Sequence, residues 1–446
     1  FLASMLLRLT ISGFRSFDGP ETLELFPSTR LHDHPTHVAE PAPGVSALTL
    51  GAIYGANGAG KSALVRALTA VRELVQSGSV EGLFVPFAFT KIQPLARVEL
   101  TLAFDGRVFE YGVEASTTVV HSEWLVEHIG GRERLFFERT SETRDGGAVV
   151  TFGPGIAKRA RERATLVAES TSGKQSFLHK LNENRVEEAL PVATWLHLLV
   201  VLIPGTRYLD VLHTFPAVRE DVARQLAAFG TGVTGLRSVV EMLPLGAPIP
   251  AGFSRQDDGT FTKTHLLAAH RGRDGTYELP FAEESDGTRQ LAWLASSLGM
   301  PFVLVVDEID QSLHPLAVRQ LLEMVAAKKT AVQQLLFTTH DTTVLDQELL
   351  RRDEVWFIEK DEFGASHLTS LADFKLRNDA SLAKGYLSGR FGAIPFLGNI
   401  ERLGLREDVF GSGASPGRDE HVGAPVPAAV PETPAKKRAK KKTGAA

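Results

Sequence analysis

The chain has 446 residues, 43% hydrophobic and 23% charged, which is the make-up of an ordinary soluble globular protein long enough for two or three domains. A formal net charge of -5 excludes a uniformly basic nucleic-acid binder, although local patches remain open. The absence of cysteine excludes disulfides and thiolate metal sites and fits a cytoplasmic setting. No apolar run approaches the roughly 20 residues a membrane span needs, so no membrane partner is expected.

In chain order, Phe1 to Ser4 read as a remnant ahead of a natural start at Met5, and nothing there resembles a secretory leader. Residues 6–11 alternate and branch like a strand. Residues 47–54 form a second apolar strand running directly into a glycine loop, and 62–75 read as the helix behind it. Four β-rich segments follow, at 98–104, 108–114, 119–126 and 134–139, separated by Gly and Asp turns in the manner of an antiparallel subdomain. From 157 to 229 the pattern turns helical, with Pro191 dividing one helix from the next and Phe215-Pro216 opening another. Residues 262–270 and 276–281 read as a hairpin leading back to the core. Strands at 302–306, 334–338 and 354–359 alternate with helices, which implies a mostly parallel sheet. From Gly411 the composition shifts to Gly, Ser, Pro and Ala and ends in Lys436-Lys437-Arg438-Ala439-Lys440-Lys441-Lys442, a tail expected to be disordered and solubilising.

Gly55-Ala56-Asn57-Gly58-Ala59-Gly60-Lys61-Ser62 fits a phosphate-cradling loop in its strand–loop–helix setting. Such a loop needs inward-facing backbone N–H groups, glycines where a Cβ would clash, and a lysine that reaches the outer phosphates. Lys61 meets the last need, and Ser62 is a candidate magnesium ligand for bound ATP. The apolar strand Phe302-Val303-Leu304-Val305-Val306 ends in Asp307-Glu308, which a buried parallel strand would deliver beside that loop. Asp307 is then expected to hold Mg2+ and Glu308 to polarise the attacking water. Leu335-Leu336-Phe337-Thr338-Thr339-His340 puts a histidine at another strand's carboxyl end, where ligands bind in open α/β sheets, so His340 is expected to sense the γ-phosphate.

This order of motifs resembles the nucleotide-binding heads of the ABC superfamily, in the branch of SMC, RecF and OLD-type ATPases. The resemblance implies a signature segment that caps a partner's ATP, and Glu284-Ser285-Asp286-Gly287-Thr288-Arg289-Gln290 fits its position, with Ser285 and Gly287 facing the γ-phosphate of another subunit. Asp310, in Asp310-Gln311-Ser312-Leu313-His314-Pro315, takes the D-loop position and is expected to communicate between two sites. Leu9-Thr10-Ile11-Ser12-Gly13-Phe14-Arg15-Ser16-Phe17 resembles the opening strand of SMC and RecF heads, and no Gln-loop residue is assigned within 87–93.

A closer resemblance is to the AAA15/AAA21 ATPases of bacterial abortive-infection systems. It rests on Ile53-Tyr54-Gly55-Ala56-Asn57, Glu284-Ser285-Asp286-Gly287-Thr288, Phe337-Thr338-Thr339-His340-Asp341 and Gly389-Arg390-Phe391-Gly392-Ala393-Ile394-Pro395. It implies an α/β ABC-type P-loop head with a mixed or parallel sheet core, an antiparallel β subdomain and an inserted helical lid or dimerisation subdomain. The expected division is 1–156 and 261–410 for the two parts of the head, 157–260 for the helical insertion and 411–446 for the tail. Implied partners are a second copy in a head-to-tail dimer or higher homo-oligomer, a separately encoded effector nuclease, a phage protein trigger and DNA. The implied function is ATP hydrolysis serving as sensor or scaffold in anti-phage defence.

The alternatives are an assembly scaffold whose ATP site is structural, and a RecF- or SMC-like DNA-repair ATPase. The missing heptads exclude an SMC arm, and the roughly 70 residues between His340 and the tail are too few for an OLD-type Toprim domain. His32, Asp33, His34 and His37 cluster near Pro35, where packing is favoured over a metal site. Arg390 is read either as packing or as a partner contact.

Overall fold

The parallel sheet that carries the candidate site is assembled from distant parts of the chain. In the computed structural model, which describes residues 3–141, 146–204, 210–243, 249, 253–256, 258–375 and 381–393, its strands run in the order Val200–Leu202, Val303–Val306, Gln334–Thr339, Leu50–Tyr54, Val355–Lys360, Ser366–Ser370. The first five are parallel and the last is antiparallel to its neighbour. Leu50–Tyr54, Val303–Val306 and Gln334–Thr339 are buried along their whole length, which explains their unbroken apolar spelling.

Alternate residues of these strands feed two cores. Ile53, Val303, Val305 and Leu336 join the P-loop helix, Lys61–Ser77, and the antiparallel sheet on one side. Ala52, Tyr54, Leu304, Val306 and Phe337 meet the helices Asp286–Leu298 and Pro315–Ala326 on the other.

The antiparallel subdomain is a seven-stranded sheet in the order Val149–Phe152, Arg132–Thr140, Val120–Ile129, Arg107–Ala115, Ala96–Phe104, Ser4–Ser12, Glu21–Glu24. Its outer strands were not readable from the sequence, and Ser4, read as part of a leading remnant, is the first residue of a strand. Gln334 joins the two sheets. Fully buried, its amide accepts from the N–H of Leu6 at 2.8 Å and donates to the carbonyls of Leu6 at 2.9 Å and Leu48 at 2.8 Å.

Three expectations change. The strand read at 47–54 is two strands, because Thr49 turns aside to bond the His37 carbonyl and Val45–Leu48 pairs instead with Val38–Ala42. Val200–Leu202 is a core strand inside a stretch read as helical, since three residues are too few to show a period of two. Helices Lys158–Glu169, Phe177–Glu183, Leu190–Leu198, Asp210–Thr214 and Pro216–Ala228 do fill most of that stretch. Beyond them, Val233–Met242 is a ten-residue strand paired antiparallel with Phe261–Arg271, which also carries the hairpin partner Thr276–Pro280. The tail at 411–446, together with Ile394 and Pro395, lies outside the described residues.

Candidate functional site

The glycine loop lies between the buried end of Leu50–Tyr54 and the first turn of Lys61–Ser77. Gly58 and Gly60 hold it open with φ of 79° and 123°, values that L side chains rarely adopt. Ser366, from the strand beyond Val355–Lys360, donates its hydroxyl to the Ala59 carbonyl at 2.6 Å and braces the loop from behind. Nζ of Lys61 lies across the loop, donating to the carbonyls of Gly55 at 2.6 Å and Ala56 at 3.2 Å. Burial lowers the lysine's pKa, while Glu308, Asp307 and Asp310 pull it back up. Desolvation is the larger effect, and an anion held against the ammonium would offset it.

At the end of Val303–Val306, Asp307 is only 3% exposed and accepts from Oγ1 of Thr338 at 2.7 Å. The same Oγ1 accepts the N–H of Glu308 at 2.7 Å. Glu308 takes a left-handed φ of 53°, a conformation uncommon outside glycine, and its side chain turns to the cavity above the loop. One strand further, Nδ1 of His340 lies 3.1 Å from Oδ2 of Asp310.

Ala56, Asn57, Gly58, Gly60, Lys61 and Ser62 share one cavity of about 430 Å³ with Glu308 and His340, whereas Asp307 and Asp310 lie behind its lining. Arg15, Ser16 and Arg66 complete the wall. Their role in the site was not read from the sequence, although the Phe14-Arg15-Ser16-Phe17 spelling had marked that turn. Nε of Arg15 and Oγ of Ser16 are buried without hydrogen-bond partners among the described residues. Burial and the neighbouring Arg66 lower the pKa of Arg15. Three cationic groups, Lys61, Arg15 and Arg66, around a glycine loop at a helix N-terminus, with orphaned polar atoms in the wall, fit a nucleoside triphosphate. Ser62 and Asp307, both oxygen donors, fit Mg2+.

Ser285 and Gly287 stand apart from this cavity. Ser285 is exposed and caps the helix Asp286–Leu298, accepting the Thr288 N–H at 3.1 Å. Gly287 packs so closely on the Asp310–Ser312 turn that a Cβ would lie 2.6 Å from the Ser312 carbonyl oxygen. The segment from Glu284 to Gln290 is thus packed directly on the turn that carries Asp310. Gln93 is exposed and does not line the cavity.

The histidine-rich loop is a packing device. Nδ1 of His37 meets Oε1 of Glu354 at 3.0 Å in full burial, His34 stacks on His37 with ring centroids 4.9 Å apart, and Arg351 donates to the Asp33 and Leu31 carbonyls. No group of three or more His, Cys, Asp or Glu side chains placed to hold a metal ion occurs among the described residues. Arg390 donates to the Lys375 carbonyl and Phe391 stacks on Phe357, so this segment closes the end of the core. None of the described helices is long and apolar enough to cross a membrane.

A family model described as "AAA domain, putative AbiEii toxin, Type IV TA system" matches residues 51–346, more than half of the chain. No curated protein gives a significant match. Solved structures similar to the chain include the SMC head domain from Thermotoga maritima, at 16% identity and a TM-score of 0.37, covering 83% of this chain and 99% of that one. Another is the SmcHead bound to the C-winged helix domain of ScpA, at 16% identity and a TM-score of 0.39, covering 82% and 97%.

Proposed function

The chain belongs to the AAA_21 family of ATPase domains, and from that premise we propose that it hydrolyses ATP in composite sites formed by two copies of itself. What supports the reading is the division of the candidate residues. Lys61, Glu308 and His340 share one cavity, while Ser285, which is exposed, and Gly287, which packs on the Asp310–Ser312 turn, are not among the residues that line it.

Within one site, the N–H groups from Gly58 to Ser62 and the ammonium of Lys61 hold the β- and γ-phosphates, with Gly55, Ala56, Asn57 and Ala59 framing the loop. Ser62 and Asp307 would hold magnesium, which when bound neutralises charge developing on the phosphates. Glu308 takes the proton of the attacking water, and His340 hydrogen-bonds the γ-phosphate. Ser285 and Gly287 of the second copy donate to the same γ-phosphate, so ATP holds the dimer and its cleavage releases it. Asp310, shared between His340 and the turn beneath Gly287, carries the state of one site to the other.

The biological reading is anti-phage defence. The matched family's description names an abortive-infection toxin of a type IV toxin–antitoxin system, and in this chain the ATPase would act as the sensor or scaffold for a separately encoded effector nuclease released by a phage protein trigger.

Size measurement by light scattering with Mg-ATP tests the mechanism. Glu308→Gln is expected to stay an ATP-bound dimer and Lys61→Ala to stay as it is without nucleotide; identical size and turnover in both variants and wild type sink the composite site. A second reading is a DNA-acting ATPase, for which one mixed-charge groove is the candidate surface. Arg159, Arg163 and Arg185 line a groove of about 670 Å³ beside the helix Lys158–Glu169, although Glu162, Glu187 and Glu188 share it. DNA-stimulated turnover that falls steeply with salt selects that reading.

A further inference from the structure

Tyr54 is the last residue of the P-loop strand and pairs in register with Thr339, one residue before His340. Its ring is fully buried, set edge-on to Tyr386 with centroids 5.9 Å apart, and its hydroxyl has no hydrogen-bond partner among the described residues. Burial, then the negative charges of Asp341 and Asp310, push this phenol well above its usual range. At neutral pH it is a protonated donor. Asp310 has the complementary deficit: Oδ2 meets Nδ1 of His340 at 3.1 Å, whereas Oδ1 is buried with no partner among the described residues. A buried donor and a buried carboxylate oxygen left alone each carry a desolvation penalty, which pairing removes.

We propose that Tyr54 is a positioning residue: its hydroxyl donates towards Oδ1 of Asp310 through one bridging water and so fixes the carboxylate that holds the His340 imidazole. A buried water shared by otherwise unsatisfied groups is the ordinary way proteins complete such pairs. The chain from Tyr54 through Asp310 to His340 runs from the buried face of the P-loop strand to the mouth of the cavity. With Oδ1 held from behind, Oδ2 stays aimed at Nδ1, the imidazole keeps its proton there, and Nε2 is presented to the cavity. Tyr54 Oη and Asp310 Oδ1 are both buried without a partner among the described residues at the same end of the parallel sheet, and Asp310 is among the charges that act on the phenol, which is why Tyr54 carries the assignment. The catalytic consequence rests on the composite ATP site; the hydrogen-bonded chain itself is readable without turnover.

The experiment compares wild type, Tyr54→Phe, Asp310→Asn and the double variant as full chains. Nitrogen NMR of labelled histidine reads the His340 tautomer, with the signal assigned by His340→Gln, and Mg-ATP turnover gives kcat and KM. Tyr54→Phe is expected to move the His340 ring signals away from the Nδ1-protonated form. It should lower kcat roughly tenfold, the low end for a group acting through another, while KM stays within about twofold. Both effects should vanish in the Asp310→Asn background. Unchanged His340 signals in a folded Tyr54→Phe protein overturn the proposal. Should Tyr54→Phe fail to fold, 3-fluorotyrosine placed at position 54 keeps the bulk and strengthens the donor; it must move the same signals, and their failure to move overturns the proposal equally. If wild type hydrolyses no ATP, the composite-site reading falls, and the His340 signals alone decide the role of Tyr54.

Discussion

Thr338 and Asp307 are joined by a single hydroxyl that serves two masters: Oγ1 of Thr338 donates to Oδ1 of Asp307 and accepts the N–H of Glu308, each at 2.7 Å. The arrangement places both carboxylates of the strand end from one neighbouring strand. It also holds Glu308 in its left-handed conformation, which costs roughly 1–2 kcal/mol for a residue with a Cβ.

Thr338→Val keeps the shape and removes the hydroxyl. Asp307 Oδ1 and the Glu308 N–H then lose their common partner in a buried setting, a loss of about 1–3 kcal/mol of stability. Urea unfolding measures that loss. ATP turnover of the folded variant should fall by more than its nucleotide affinity if, as proposed, Glu308 acts on the attacking water; equal falls in both would place Thr338 outside the catalytic geometry.

Gly287→Ala forces a methyl group against the Ser312 carbonyl oxygen. The signature helix and the D-loop turn must separate, while the P-loop cavity lies elsewhere. Binding of a fluorescent ATP analogue should therefore survive within about threefold, and ATP-dependent dimerisation should be lost. Retention of the dimer at wild-type affinity would remove Gly287 from the interface.

Arg15→Ala withdraws one of three cations from the cavity wall, and with it an orphaned Nε. A charge-assisted hydrogen bond to a phosphate contributes about 1.5–3 kcal/mol, so nucleotide affinity should drop at least tenfold. Titration of labelled ATP checks this, and an unchanged affinity would assign Arg15 to packing against Phe14, over which its guanidinium lies at 5.6 Å.

Glu123→Ala tests the joint between the antiparallel sheet and the helical region. Glu123 and Arg139 form a fully buried ion pair at 3.1 Å, and Glu123 also accepts from the Tyr111 and Ser176 hydroxyls and from the N–H groups of Phe177 and Leu178. Removing the carboxylate leaves Arg139 charged in the interior, at a cost of about 3–5 kcal/mol. Thermal and urea unfolding should both show it; a loss under about 1 kcal/mol would mean that water replaces the carboxylate.

The parts of the site that the sequence revealed are those written in consecutive residues. Gly55 to Ser62, Asp307-Glu308 and His340 each sit at the end of an apolar strand whose burial on both faces leaves a local signature. Arg15, Ser16 and Arg66 were missed for the opposite reason. Arg15 reaches the cavity because a turn closed by the Phe17 N–H on the Phe14 carbonyl, and by the Arg15 N–H on the Val85 carbonyl, carries it across from another sheet. Periodicity contains no record of such tertiary turns. Val200–Leu202 was hidden in a different way: its three residues continue the apolar run of the helix Leu190–Leu198, and only their pairing with Val303–Val306 makes them a strand.

The strand Leu50–Tyr54 lies between Gln334–Thr339 and Val355–Lys360, which leave the ribosome about 280 and 300 residues later. At roughly 5–20 residues per second, the glycine loop waits on the order of half a minute for the neighbours that give it a sheet to stand on. A message cut short before the codon for Gln334 would therefore carry the complete glycine motif without either of the strands that flank it in the sheet.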